Sequence, residues 1–100
     1  MIRGTTPTHT FNIPFNVQLI SKLRILYSQD DVLILAKNME DCVISDNSIS
    51  VTLTQEDTLS FNAKKNVEIQ IRILTVENKA LASIPKKVSV LKLLENEVLR

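Results

Sequence analysis

The sequence predicts an all-β chain, folded as an Ig-like antiparallel β-sandwich of about seven strands. Three observations carry that expectation. Val67-Glu68-Ile69-Gln70-Ile71-Arg72-Ile73 sets β-branched apolar residues against an acid, an amide and a base with a period of two, the pattern of a strand that buries one face and wets the other. Short runs of the same kind recur at roughly 8 to 12 residue spacing with turn residues between them, as in sandwiches. Apolar residues make up 44% of the chain and are mostly Ile, Leu and Val, which suits a folded, β-leaning domain. The cysteine pair and tryptophan of a true immunoglobulin domain are absent, so the expectation concerns architecture only.

The elements follow in order. Met1 to Pro7 is polar, holds the only glycine, Gly4, and reads as an extended arm ahead of a sandwich domain spanning Thr8 to Leu93. Thr8 to Ile13 is a first strand with Phe11 and Ile13 on one side, ended by Pro14, which removes a ladder donor. Phe15 to Ser21 is mixed and fits one helical turn. Lys22 to Gln29 alternates, with Leu23, Ile25 and Tyr27 inward and Arg24 and Ser28 outward. Asp30-Asp31 is a turn signal. Val32 to Lys37 is a nearly continuous apolar strand, which calls for burial on both faces or contact with a partner.

Cys42 to Ser45, a turn at Asp46-Asn47 and Ser48 to Thr54 form a hairpin whose second arm turns Ile49, Val51 and Leu53 to one face. Thr54-Gln55-Glu56-Asp57 resembles a helix-starting cap but leaves room for only a turn of helix, placed where the chain crosses between sheets. Asn66 to Thr75 is the long strand, and Glu77-Asn78-Lys79 turns it into a returning arm over Ala80 to Ser83. Pro85 either demotes that arm to an edge strand or kinks it. Lys86 to Lys92 resumes with Val88 and Val90 inward. Leu91, Leu94, Val98 and Leu99 recur at spacings of three and four, compatible with a short C-terminal helix over the tail Leu94 to Arg100. An irregular tail that needs a neighbour to bury its leucines is the alternative.

Composition excludes several functions. One hundred residues make one domain that removes about two thirds of its unfolded surface on folding, with no room for a large internal pocket. Twelve basic against eleven acidic side chains leave a net charge of +1, and neither sign forms a block, so nucleic acid is not an expected partner. Lys64-Lys65 and Lys86-Lys87 read as solvated charges that discourage edge-to-edge association. No apolar run is long enough to span a bilayer and no signal region opens the chain; a soluble chain without membrane contact is expected.

The single Cys42 excludes an intrachain disulfide and reads as a buried, inert thiol. One glycine gives no phosphate-cradling loop, and one His with one Cys gives no zinc site. A nucleophile and base pair would have to be Cys42 with His9, which nothing in the sequence brings together. His9 itself reads as a surface imidazole on the polar face of its strand. Asp30-Asp31 and Glu56-Asp57 read as turn chemistry; a cation site or a hydrolase at Glu56 or Asp57 is the weaker alternative. The expectation is therefore a non-enzymatic chain with no cofactor, no metal and no catalytic residue.

Three places offer groups that a small sandwich does not obviously satisfy. These are Ile2, Arg3, Thr5 and Thr6 of the arm, Val32 and Ile34 of the apolar strand, and Leu94, Val98 and Leu99 of the tail. They are the candidate interface residues, unless all three segments fold back on their own domain.

Two segments carry a resemblance. Arg3-Gly4-Thr5-Thr6-Pro7-Thr8-His9-Thr10-Phe11 with Ile13-Pro14-Phe15, and Leu53-Thr54-Gln55-Glu56-Asp57-Thr58, resemble a group of small proteins encoded by phages and prophages of gut Firmicutes. The similarity runs to the closing Asn96-Glu97-Val98-Leu99. The order of strand, Glu-containing turn, long strand and returning strand also looks like the Ig-like N-terminal domain of phage baseplate upper proteins. The resemblance implies a non-enzymatic component of a virion tail, baseplate or head, assembled in the host bacterial cytoplasm through β edges and terminal arms. Its partners would be copies of itself or other virion proteins. The alternative is a phage-encoded accessory protein that binds a host protein or a small ligand outside the particle.

Overall fold

A computed structural model describes residues 1–100. Two antiparallel sheets pack face to face: β1 (Thr8–Asn12), β5 (Ser48–Thr52) and β4 (Cys42–Ser45) in one, and β3 (Val32–Asn38), β2 (Ile20–Gln29), β6 (Asn66–Thr75) with β7 (Ala80–Ala82) and β8 (Lys86–Ser89) in the other. The all-β sandwich is the architecture that the alternation predicts.

Alternation places the core. Val67, Ile69, Ile71 and Ile73 of β6 and Leu23, Ile25 and Tyr27 of β2 are buried, facing Ile49 and Val51 of β5, while Leu53 and Phe61 close the space between the sheets. Burying such side chains contributes about 1.5–3 kcal/mol each, so the core side chains far outweigh any single surface contact. β2 and β6 pair in register from Leu23–Ile73 to Ser28–Glu68 and form the spine of the larger sheet.

The turns obey local chemistry. Asp30 and Asp31 both take positive φ (50° and 63°), the two-residue hairpin turn whose hand matches strand twist. Helix α1 (Gln55–Leu59) starts at Thr54 with a reciprocal capping box: Thr54 Oγ1 accepts from the Asp57 N–H and Asp57 Oδ2 accepts from the Thr54 N–H. It stops after five residues because the chain must re-enter the sheet. Val17–Leu19 and Met39–Asp41 are single 3-10 turns, the second of which the sequence reading did not anticipate.

Pro85 does both things its position allows. β7 pairs with Arg72–Leu74 and β8 with Asn66–Ile69, both along the same side of β6. They are two halves of one edge strand interrupted at Ser83–Pro85, so eight strands occupy seven positions.

Two expectations are corrected. The tail forms no helix: Asn96 and the Leu99 backbone are engaged by Arg3 and Gln55 instead, and a helix this short is marginal without a packed face. His9 does not lie on the polar face. It shares the inward parity of Phe11 in β1 and is half-buried.

Candidate functional site

The candidate interface residues fall into two groups. Arm and tail come together beside α1. Ile2 forms a parallel bridge with Leu91; the Arg3 N–H donates to Leu91 O (3.1 Å) and the Leu91 N–H to Met1 O (2.8 Å). Arg3 also donates from Nη1 to Asn96 Oδ1 and from Nη2 to Leu59 O, both at 2.8 Å. Thr5 donates to Ile2 O, while the Thr5 carbonyl accepts from buried Thr58 Oγ1 at 2.8 Å; Thr6 is exposed. The backbone of this arm is thus bonded to its own domain.

The arm fits because Gly4 takes φ +79° under the Leu93 side chain, where a β-carbon would stand 2.5 Å from Leu93 Cδ2. Tail side chains behave differently. Leu94 is 94% and Leu99 79% exposed, with Val98 half-buried, although the Leu99 backbone exchanges two hydrogen bonds with the Gln55 side chain (2.7 and 3.0 Å).

Val32 and Ile34 sit on β3, the outermost strand of the larger sheet. Val32 is 59% exposed and its neighbour Leu33 54%, whereas Ile34 packs partly against the core. A bulge at Ile34 shifts the register between Leu35 opposite Tyr27 and Leu33 opposite Ser28. Lys37 anchors the far end of β3 through a 2.8 Å ion pair with Asp57, both side chains largely buried. The apolar run is therefore not covered on both faces.

Between the sheets lies a small polar seam that sequence reasoning missed. His9 Nδ1 and Tyr27 Oη are 2.8 Å apart, and Tyr27 is fully buried against Phe61. Burial, reinforced by Cys42 and Asp57, pushes the Tyr27 phenol far above its ordinary range, so the group that shares a hydrogen bond with His9 Nδ1 is a protonated phenol. Burial, with the N-terminal amine and Lys86 nearby, lowers the His9 pKa. The parity of His9 with Phe11 was the available signal.

Cys42 is half-buried and donates to Asn38 O at 3.4 Å; burial and Asp41 raise its pKa against the opposing pull of Lys37. Burial raises the Asp57 carboxyl, but the bonds from Lys37 and Thr54 outweigh it and leave the group below its usual range. Asp30 pairs with Lys65 at 2.6 Å. No group of three or more His, Cys, Asp or Glu side chains converges as a metal site would require.

Two clefts flank the β7 edge. One of about 340 Å³ has Phe11, Ile13, Phe15, Ile71, Ile73 and Leu81 among its walls. The other, of about 210 Å³, lies on the far side of Leu81 and includes Lys22, Arg24 and Arg72. The chain matches no protein-family model, no curated protein and no solved structure.

Proposed function

We propose that this chain is a non-enzymatic assembly module of a phage particle, joined to copies of itself or to other particle proteins by strand addition at β3. The observation that carries the proposal is the open edge itself. Seven residues, Val32–Asn38, pair on one side only, contain no proline, and expose Val32 and Leu33. Such an edge is a template for an added strand.

Connectivity supports the module reading. The order β1-β5-β4 against β3-β2-β6 and a final edge strand corresponds to the B-E-D and C′-C-F-G strands of immunoglobulin-type sandwiches. The phage setting rests on the resemblance carried by Arg3–Phe15 and Leu53–Thr58.

Leu33→Lys tests the edge. Its side chain is exposed, so stability should change by no more than about 0.5 kcal/mol, while co-assembly with particle proteins drops about tenfold or more by light scattering and co-purification. Unchanged assembly would exclude β3 as the docking edge. Mass spectrometry of purified particles should find the chain at stoichiometric copy number.

A second reading, an accessory protein that binds a small apolar ligand, has one observation in its favour. The Phe11–Phe15 cleft reaches the lower end of ligand-pocket sizes, about 300 Å³, and is mostly apolar with Asn12 and Ser83 as polar groups. Saturable uptake of an apolar dye, abolished by Phe15→Glu, would favour it.

A further inference from the structure

The outward face of the larger sheet carries an arrangement that the β3 edge does not use. Arg24 of β2 and Arg72 of β6 are direct cross-strand partners, both exposed, and neither makes an ion pair or side-chain hydrogen bond; the two ion pairs of the chain are Lys37–Asp57 and Lys65–Asp30. Lys22 precedes Arg24 by two residues on the same face, opposite Leu74. Like charges directly opposite one another destabilise a sheet, so this cluster favours a bound counter-charge. Glu40 borders the adjoining cleft with Lys22 and Arg24 but pairs with neither. Between the cations and β7 lies the 210 Å³ cleft, lined also by Leu74, Ala80 and Leu81.

The tail offers the complement. Glu95 and Glu97 are exposed, flanked by the exposed Leu94 and Leu99, and border a cleft of their own beside Gln55. Glu95 and Glu97 are two residues apart in the tail, as are Lys22 and Arg24 in β2. The two surfaces cannot meet within one molecule. The tail follows β8, whose Ser89 pairs with Asn66 at the start of β6, whereas the cationic cleft sits at Arg72–Leu74 near its end. That interval is about 20–26 Å along the strand, and the tail is tied down at Asn96 and Leu99.

We infer that the cationic cleft of one copy receives the Leu94–Leu99 segment of a second copy, Glu95 and Glu97 pairing with Lys22, Arg24 and Arg72 while a tail leucine enters beside Leu74 and Leu81. Because donor and acceptor surfaces differ, the contact is head-to-tail and builds a ring or an open chain. It uses none of the β3 residues, so Leu33→Lys and the variants below fail or succeed separately.

The test is a mixing experiment with full-length chains, R24E/R72E and E95R/E97R, followed by sedimentation over a concentration series. The parent associates reversibly and loosens about tenfold or more between ~0.05 and ~0.5 M salt, as screened charges do. Each variant alone repels itself and associates about a hundredfold more weakly, whereas an equimolar mixture restores association, since each reversed surface then meets its complement. A parent that stays monomeric at millimolar concentration overturns the inference. So does either variant associating like the parent, or a mixture that stays monomeric while both far-ultraviolet spectra are native. Should R24E/R72E not fold, R24Q/R72Q replaces it: lost association at unimpaired stability supports the inference, and parental association overturns it.

Discussion

The two edges of the five-stranded sheet are finished in opposite ways. β3 is seven residues, five of them apolar before Lys37 and Asn38, with no strand paired beyond it. The β7–β8 edge is divided at Pro85, carries Lys86 and Lys87, and has the Met1–Arg3 backbone laid against Ser89 and Leu91. The second edge shows the devices that keep sheets from associating, namely proline, lysine, short strands and a covering segment. The first has no proline and no covering strand, and its protection is limited to the bulge at Ile34 and to Lys37, which turns inward to Asp57 at the far end. Of the two edges β3 is the longer and the less interrupted, which is why the proposed strand addition is assigned to it.

Three changes break or sharpen this contrast, from the largest effect to the smallest. Asp57→Ala removes both the α1 cap and the partner of Lys37, leaving a largely buried ammonium unpaired. A loss of about 2 kcal/mol is expected by urea denaturation, together with faster hydrogen exchange at the Lys37 end of β3. Lys37→Met keeps the cap and should cost less.

Gly4→Ala acts on the covered edge. The positive φ and the approach of Leu93 make it unfavourable by about 1 kcal/mol, and the lifted arm should expose the Leu91 amide, now bonded to Met1 O. Exchange protection at Leu91 should fall while β3 amides keep theirs. If both edges loosen together, they are not independent.

His9 tests the seam between the sheets. Its folded pKa lies below the ordinary 6.5, so as the pH falls below about 7 the unfolded chain binds a proton that the folded chain resists. The His9 contribution is therefore flat above about pH 7 and falls as the pH drops below the ordinary imidazole value. Asp57 acts with the same sign, but only as the pH falls below the usual carboxylate range, about pH 4. His9→Gln should lower stability at pH 7.5 by about 1 kcal/mol or less and flatten the fall of urea midpoints just below pH 7.

Much of the fold was legible because a period of two is a local property. The bounds of β4 and β6, the inward set Leu23, Ile25 and Tyr27, the α1 cap at Thr54 and the dual nature of Pro85 can all be read from neighbours in the chain. His9 was misplaced by counting Thr8 and Thr10 around it rather than its parity with Phe11. The pairing of buried Gln29 with both backbone groups of Asn62 gave no local signal at all, since its partner lies 33 residues away.

By itself the chain determined that it would pleat, where it would turn and which side chains would be dry, because alternation, turn residues and caps act over a few residues. Tertiary structure alone decided which edge would be covered and which left open, that the tail would run irregularly with its leucines outward, and that Arg24 would face Arg72. Those outcomes depend on pairings between segments distant in sequence, where strand order and register, not local preference, choose the neighbour.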